Sequence, residues 1–383
     1  MFSVSHSRTG SRRSGPGITA LTLLLVIVQA GCNANSDEPV VFGFAGPIQE
    51  AYGASARMGA ELAQAEINAA GGIDGRPLEL LIRDDAANPK QAIEIAERFV
   101  ANPDVLAVVG HVNSGTMTAA ATVYEKGLPA LATSATSPSI SQLGDWIFRV
   151  TSSDSANAVE LSRLALEISE PTAILYENDD YGRGLSNSFR SSFEALGGEI
   201  LESDPYLGST EDLRPYLERL RMQDVGLVFI AGLEQGAARI IQQANELGLD
   251  SRFLGGDGLE GLVNMGDAYN GTLVGMLYHP DASPAARDFA DKFTAAYNRP
   301  PDSFAALAYD AVYLMKRAVE EGGAGREKIR DHLATVGRPD GSPPFEGASG
   351  TIRFDENGDP LGKDFAVGVI QNGSIQILNG QNR

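Results

Sequence analysis

The chain of 383 residues carries 30 basic and 50 acidic side chains, which gives a formal net charge of −20. This length exceeds the usual size of one hydrophobic core, so we expect two domains. The acidic balance and the lack of a basic patch with interleaved aromatic residues disfavour nucleic-acid binding. One cysteine excludes an intrachain disulfide, so packing must stabilise the fold.

The N-terminal segment has the pattern of a secretory signal. Arg8, Arg12 and Arg13 precede an apolar run at 18–28, which is too short to remain as a membrane-spanning helix. We therefore predict a signal peptide over residues 1–31 and a polar tether over 32–39. Export implies a location in the periplasm or at the cell surface.

The residues around the single cysteine suggest a lipid anchor. Ala30-Gly31-Cys32 resembles the end of a bacterial lipobox, although Gln29 stands where that pattern has an aliphatic residue. The resemblance implies that Cys32 is lipidated, becomes the mature N-terminus and holds the protein at a membrane. The alternative is a plain secretory signal followed by an unmodified cysteine.

From Val40 onward, short apolar runs alternate with amphipathic stretches. Strands are predicted at 40–45, 78–82, 105–109, 129–133 and 146–150, and helices at 55–69, 90–101 and 116–126. Gly71-Gly72 ends the first helix and Pro89 begins the second. Nearly continuous apolar strands that alternate with helices predict a parallel sheet covered on both faces.

The same alternation then recurs. Strands are predicted at 173–176, 227–231, 252–254 and 273–278, and helices at 155–168, 182–196, 213–223 and 235–247. Three further helices follow at 284–297, 303–321 and 327–336, and then hairpin-like segments at 351–354, 365–370 and 374–378. The pattern predicts two similar α/β lobes.

Several polar residues directly follow predicted strands, where open parallel sheets bind ligands. Ser114 precedes a helix and Thr136 lies one strand further along, so both hydroxyls are placed to meet an anion at helix N-termini. The simpler interpretations are an N-cap for Ser114 and a turn residue for Thr136. Asp257, in Gly255-Gly256-Asp257-Gly258, fits either a ligand cation or a tight turn.

A series of motifs, in order along nearly the whole chain, indicates a family. These are Gly46-Pro47 with Tyr52-Gly53, Asn68-Ala69-Ala70-Gly71-Gly72-Ile73-Asp74-Gly75, Asp84-Asp85 with Asn88-Pro89, Val109-Gly110-His111, Ser134-Ala135-Thr136-Ser137-Pro138, Asp180-Tyr181-Gly182 and Gly255-Gly256-Asp257-Gly258. With these motifs the chain resembles type I periplasmic solute-binding proteins, in particular the leucine/isoleucine/valine-binding family that feeds ABC importers.

The resemblance implies an α/β fold of two Rossmann-like lobes, joined by a three-segment hinge, with the ligand in the interlobe cleft. Lobe 1 would comprise residues 40–150 and 281–343, and lobe 2 residues 151–280 and 344–383. The hinge would lie near Val150-Thr151-Ser152, Pro280 and Pro343-Pro344. Cleft closure would bind the ligand.

The resemblance also implies roles for individual residues. Ser114 and Thr136, with backbone groups at Ser134, would hold the α-carboxylate of an amino acid, and Asp257 its α-ammonium group. Tyr52 and Tyr181 would line the cleft from opposite lobes. The remaining expected contributors are Val112, through its backbone, and Leu233.

Two positions depart from the family pattern. Leu233 stands where the family has an aromatic residue, and Asp257 is one methylene shorter than the glutamate often found there. Glu234 is expected to favour the start of the helix that follows it. The alternative is that it faces the cleft and favours a polar or cationic ligand side chain.

The resemblance implies an extracytoplasmic solute-binding protein of an ABC importer, which would deliver a branched-chain or other aliphatic amino acid to a membrane permease. No cofactor is implied. The alternative is a sensor of the same fold that detects an amide or amino acid and signals to a partner protein.

Catalysis and metal binding are disfavoured by the motifs. His111 lies three residues before Ser114, but no Gly-x-Ser-x-Gly elbow surrounds that serine, and we expect His111 to satisfy backbone groups at a strand end. The run Asp355 to Asp359 alternates oxygen ligands, but Pro360 replaces the glycine of a calcium loop, so a hairpin turn is expected. No metal site is predicted.

Overall fold

The computed structural model describes residues 38–168 and 170–378. The predicted signal peptide, Cys32 and most of the predicted tether lie outside these residues. At the end of the tether, Arg76 donates from Nε to the carbonyl of Glu38 at 2.9 Å and from Nη2 to that of Pro39 at 3.0 Å. None of the helices within the described ranges is long and apolar enough to cross a membrane.

The first lobe is built on a sheet of five parallel strands in the order β2-β1-β3-β4-β5. Its elements in chain order are β1 (Val40–Gly46), α1 (Ala51–Ala69), β2 (Leu78–Asp84), α2 (Pro89–Ala101), β3 (Val105–Gly110), α3 (Ser114–Tyr124), β4 (Ala130–Ala132) and β5 (Ile147–Arg149). Every residue of β1 and β4 is buried, as expected for central strands of a sheet covered by helices on both faces.

The chain then enters the second lobe. Its elements are α4 (Asp154–Ile168), β6 (Thr172–Glu177), α5 (Asp180–Ala195), β7 (Ile200–Tyr206), α6 (Arg214–Met222), β8 (Leu227–Ala231), α7 (Glu234–Leu247), β9 (Arg252–Gly255) and β10 (Leu273–Met276). A 3₁₀ helix, Asp257–Asn264, follows β9.

The C-terminal part of the chain contributes to both lobes. Its elements are α8 (Pro284–Tyr297), α9 (Ser303–Gly322), α10 (Arg326–Leu333), β11 (Phe345–Gly347), β12 (Gly350–Ile352), β13 (Ala366–Gln371) and β14 (Ser374–Ile377). Helix α9 packs on α1 so closely that a Cβ on Gly59 would collide with the carbonyl of Ala305. The second sheet has the order β14-β13-β10-β9-β8-β6-β7, with β13 and β14 antiparallel to their neighbours.

The two-lobed α/β fold is confirmed, with three corrections to the elements. Strand β7 was not predicted, because its sequence is half polar and contains Pro205; as an edge strand it pairs only with β6 among the described strands. Helix α1 begins at Ala51, four residues before the expected start. Helix α10 ends at Leu333, not at residue 336.

The predicted boundary at residue 343 is also wrong. Ala348, Ile352 and Phe354 are buried in the same apolar cluster as β1 and α9 of the first lobe, and Phe354 lies 5.3 Å from the ring of Phe148. The chain therefore leaves the first lobe after Phe354 and joins the second sheet at β13. Leu277 and Tyr278 pack in this first cluster too, so the second crossing precedes Pro280.

Candidate ligand-binding site between the lobes

The carboxyl ends of the parallel strands carry the polar residues singled out in the sequence. In the first lobe, Ser114 follows β3, and Ser134 and Thr136 follow β4. In the second lobe, Tyr181 follows β6, Leu233 follows β8 and Asp257 follows β9. Strands β6, β8 and β9 are adjacent in the sheet, so these three loops lie side by side.

Hydrogen bonds hold the first-lobe loops against each other. Ser114 Oγ accepts from the backbone N–H of Ser137 at 3.2 Å, and Ser134 Oγ donates to the carbonyl of Val112 at 3.1 Å. Ser114 is the first helical residue of α3 and Asn113 is the N-cap, so the N-cap interpretation of Ser114 is wrong. Its hydroxyl joins the loop after β3 to the loop after β4.

Thr136 has a buried hydroxyl that lies beside the carboxyl group of Asp154. Its carbonyl accepts from Arg149 Nη1 at 3.1 Å and from the backbone N–H of Asp154 at 2.9 Å. The backbone of Thr136 is thereby fixed, and its hydroxyl is held next to a buried acid.

Asp257 is buried in the second lobe and bonded to Tyr181. The hydroxyl of Tyr181 donates to Asp257 Oδ1 at 3.0 Å and accepts from the backbone N–H of Gly258 at 3.1 Å. Burial raises the pKa of Asp257 to about 6, while the hydrogen bond from Tyr181 acts in the opposite direction. The carboxyl group is held in one orientation and is costly to ionise without a cation.

A second carboxyl group, that of Asp154, was missed by the sequence analysis. Asp154 is 1% exposed, and its carboxyl group lies beside the hydroxyl of Thr136, which acts as a hydrogen-bond donor. Burial raises the pKa of Asp154 well above the ordinary value, and the negative charge of Asp257 raises it further, while the Thr136 hydroxyl lowers it. Two buried carboxyl groups thus lie within electrostatic reach of each other beside Thr136.

The signal for Asp154 in the sequence was weak. It reads as an ordinary acidic residue in the first turn of α4, where a carboxylate favours the helix N-terminus. Only the fold shows that this turn lies against the loop after β4. The unpaired Nδ2 of buried Asn157, one turn further along α4, lies in the same part of the helix.

Aromatic and aliphatic side chains form the remaining walls. The ring of Tyr52 lies 5.3 Å from that of Phe304, and its hydroxyl accepts from Asn113 Nδ2 at 3.1 Å. Leu233 packs against the apolar cluster of the first lobe, which contains Tyr52 and Phe304, and also against a cluster of the second lobe. Its side chain therefore contacts both lobes.

A comparison with protein families agrees with this arrangement. Residues 39–374 match the family model described as periplasmic binding protein. The chain belongs to the type I periplasmic binding protein family.

Characterised relatives of this periplasmic binding protein align over most of its length. A leucine-, isoleucine-, valine-, threonine- and alanine-binding protein from Pseudomonas aeruginosa is 31% identical over 330 residues, covering 84% of this chain and 86% of the relative. A Leu/Ile/Val-binding protein homologue from Brucella suis is 30% identical over 347 residues, covering 88% of this chain and 91% of the relative.

Solved structures show the same fold. A branched-chain amino acid transporter substrate-binding protein from Streptococcus pneumoniae, in complex with isoleucine, superposes with a TM-score of 0.80 at 29% identity, covering 89% of this chain and 99% of the other. A leucine-binding protein from Thermotoga maritima superposes with a TM-score of 0.82 at 28% identity, covering 89% and 98%.

His111 in this binding protein does not have the neighbours that were expected. Its Nδ1 lies 2.6 Å from Asp85 Oδ2 and its Nε2 lies 2.9 Å from Tyr124 Oη. The expectation that His111 satisfies backbone groups is therefore wrong. All three side chains are buried, and the ring contacts Asp85 and Tyr124 instead of Ser114.

The acidic run near the third crossing forms a turn, as expected. Asp355 Oδ1 accepts from the backbone N–H groups of Asn357 and Asp359, at 2.8 and 3.0 Å. The carboxylate of Asp359 pairs with Arg149, at 2.7 Å from Nε and 2.8 Å from Nη2. These oxygens are used within the protein.

Proposed function

We propose that this periplasmic binding protein binds a zwitterionic α-amino acid with an aliphatic side chain in the interlobe cleft and delivers it to the permease of an ABC importer. One observation carries the proposal: two buried carboxyl groups, Asp154 and Asp257, lie beside loops with hydroxyl and N–H groups. Relatives named for binding leucine, isoleucine and valine support the same ligand class.

The ammonium group of the ligand would lie between Asp154 and Asp257. A buried charge is stable only when it is paired, so the one ammonium group would favour ionisation of one of the two acids, with the other in its neutral form. Tyr181 orients Asp257 for this contact. The buried oxygens of Asp154 supply hydrogen-bond acceptors for a three-donor ammonium group.

The carboxylate of the ligand would meet the first lobe. Ser114, Thr136 and backbone groups at Val112 and Ser134 are proposed to hold it near the start of α3. A helix N-terminus carries partial positive charge and free N–H groups, which favour an anion. The hydroxyl of Thr136 is buried beside Asp154.

The aliphatic side chain would pack between Tyr52 and Leu233, on either side of the cleft. Hinge bending at the three crossings would separate these walls to admit the ligand and close them over it, and the closed form would be recognised by the permease. The proposed function involves binding alone: His111, the histidine nearest to the cleft serine in sequence, is hydrogen-bonded at both ring nitrogens.

Calorimetry with matched ligands tests the proposal. L-Leucine contains both charged groups, 4-methylpentanoate lacks the ammonium group and 3-methylbutylamine lacks the carboxylate. We expect binding of leucine and a loss of at least a hundredfold in affinity for each analogue. Equal binding of leucine and 4-methylpentanoate would remove the two aspartates from their proposed role.

The lipid anchor is a separate proposal. Cys32 is proposed to carry the lipid and to keep the binding protein near its permease at the membrane. Full-length protein expressed in a bacterial host should partition with membranes and shift in mass at the N-terminus, and Cys32→Ser should be released as a soluble form. Soluble wild-type protein with an unmodified Cys32 would contradict the proposal, without affecting the binding function.

A further inference from the structure

A third acidic side chain, Glu234, lies at the ligand edge of the second lobe. It is the first residue of α7, directly after Leu233, in the loop that follows β8. Strand β8 lies between β6 and β9, so this loop lies between those that carry Tyr181 and Asp257. Neighbouring strands are about 4.8 Å apart, which places Glu234 next to the proposed ligand site.

Glu234 is only 4% exposed and has little hydrogen bonding within the protein. Gln235 Nε2 donates to Glu234 Oε1 at 3.3 Å. Glu234 is the acidic residue in the first turn of α7, where a carboxylate favours the helix N-terminus, as expected. Its location leaves the carboxylate for another partner.

The residues around Glu234 leave space for its carboxyl group but do not neutralise its negative charge. A Cβ on Gly261 would collide with Glu234 Oε2, so the glycine makes room for the group. Asp302 and Glu50 of the first lobe raise its pKa electrostatically, and Arg299 lowers it; with burial as the largest cause, the pKa is about 7. Gln235 Nε2 also donates to Glu50 Oε2 at 3.3 Å.

Glu260 is another buried acid in this region, and its carboxylate is fully hydrogen-bonded within the protein. It is equally buried, but its carboxylate accepts from the backbone N–H of Ser303 at 3.0 Å and from the Ser303 hydroxyl. These contacts occupy both of its oxygens at the start of α9. Glu234 has no comparable pair of donors among the described residues.

The apolar walls lead toward Glu234. Leu233 packs against the cluster that contains Tyr52 and Phe304. Glu234 directly follows Leu233 at the start of α7, so its side chain begins at the side-chain end of the proposed pocket. A ligand chain that passes Tyr52 and Leu233 would reach Glu234.

We propose that Glu234 closes the far end of this pocket and favours α-amino acids whose side chain ends in a nitrogen hydrogen-bond donor, an amide or an ammonium group. The inference rests on the amino-acid-binding function proposed above and extends its ligand range. The terminal nitrogen would donate to Glu234 and offset the excess of acidic groups around it. The aliphatic part of the same side chain would contact Leu233 and Tyr52.

The test is calorimetry of wild-type protein, Glu234→Gln and Glu234→Leu with L-norleucine, L-lysine and L-glutamine at pH 8. Norleucine and lysine share the same carbon chain, so their affinity ratio isolates the terminal nitrogen. In wild-type protein we expect lysine or glutamine to bind at least as tightly as norleucine. In Glu234→Leu that preference should fall by at least tenfold, with norleucine affinity changed by less than threefold.

Control variants distinguish a failure of this inference from a failure of the proposed amino-acid-binding function. Glu246→Gln, on the exposed face of α7, should leave every ratio unchanged. Glu234→Gln keeps the shape of the side chain and should reduce the preference for lysine more than that for glutamine. Binding of norleucine with the same ratios in wild type and Glu234→Leu would overturn the inference alone, whereas absence of binding by every α-amino acid would overturn the proposed function with it.

Discussion

The hydroxyl of Tyr181 donates a hydrogen bond to Asp257 Oδ1 at 3.0 Å, and the two residues come from the loops after β6 and β9, which lie on either side of β8 in the same sheet. The same hydroxyl accepts from the N–H of Gly258. Tyr181 therefore fixes the position of the carboxyl group as well as lowering its pKa against the effect of burial. This couples an aromatic wall residue to the proposed ammonium site.

Tyr181→Phe should weaken the binding of leucine by about 1.5–3 kcal/mol, the usual value of a hydrogen bond to a charged group. Asp257 would also ionise at a higher pH, because the donor that favours its charged form is gone. Titration calorimetry at several pH values measures both effects. Tyr216→Phe, on helix α6, is the matched control and should bind as wild type; an unchanged affinity of Tyr181→Phe at every pH would contradict the role.

Asp257→Asn should weaken the binding of leucine by about 2–5 kcal/mol, because the buried ammonium group loses a charged partner. The exposed Asp267 lies shortly after the same 3₁₀ helix, and Asp267→Asn supplies a control for the loss of one negative charge. Affinity within twofold of wild type for Asp257→Asn would show that the ammonium group lies elsewhere.

Asp154→Asn should have opposite effects on stability and on binding. The ligand-free protein should melt at a higher temperature, since a buried carboxyl group that is costly to ionise is replaced by a neutral group of similar shape. Binding of leucine should fall by more than tenfold. Thermal melts with and without ligand measure both, with Asp340→Asn as an exposed control; a less stable apo protein with unchanged affinity would contradict the assignment.

The pH dependence follows from the two raised pKa values. The folded apo protein holds protons on Asp154 and Asp257 at pH values where the unfolded chain has lost them. Its stability should therefore fall as the pH rises from about 4 through 6. The ammonium ligand needs an ionised carboxylate, so its affinity should rise over the same range as a proton is released.

Calorimetry in two buffers of different ionisation enthalpy detects this proton release at pH 6. The apparent affinity should change by up to about tenfold per pH unit for each proton released. In Asp257→Asn the slope below pH 7 should be reduced. A flat affinity profile from pH 5 to 7.5 in wild-type protein would show that neither aspartate changes its protonation on binding.

Arg149 and Asp359 join the first and third crossings between the lobes. Arg149 is 0% exposed and also donates from Nη1 to the carbonyl of Ser137 at 2.9 Å, so its charge is buried on the first-lobe side. Asp359→Asn should cost about 3 kcal/mol in the free energy of unfolding, because the guanidinium is left without its anion.

Urea denaturation gives this cost directly. Asp281→Asn breaks the exposed pair with Arg287 and should cost no more than about 1 kcal/mol. If both substitutions lower the free energy of unfolding by the same amount, the buried pair of Arg149 and Asp359 contributes no more to stability than an exposed pair. A normal stability with altered leucine affinity in Asp359→Asn would place its effect on the Thr136 loop instead.

The regular alternation of apolar strands and helices was sufficient to predict the two lobes. What it could not supply was the edge of the second sheet: β7 is half polar and contains a proline, so its pairing with β6 depends on the neighbouring strand and not on its own sequence. The third crossing was placed too early for a similar reason. Phe354 follows a proline-rich loop, and only the first core shows that it packs against Phe148.

The candidate site was predictable where residues directly follow strands, as Ser114, Thr136 and Asp257 do. Asp154 was not predicted as a site residue because its location depends on how helix α4 packs against the loop after β4, which is a long-range property. Glu234 was noticed and was expected to favour the helix start. Its orientation is determined by Gly261, 27 residues away, which leaves space for the carboxyl group.

A crystal structure of the protein with bound L-leucine tests the central claim most directly. The account predicts the ammonium nitrogen within hydrogen-bond distance of the carboxylates of Asp154 and Asp257, about 3 Å from each. The ligand carboxylate should contact Ser114 and Thr136, with the side chain between Tyr52 and Leu233. An ammonium group that contacts neither aspartate, or a ligand bound outside the interlobe cleft, would contradict it.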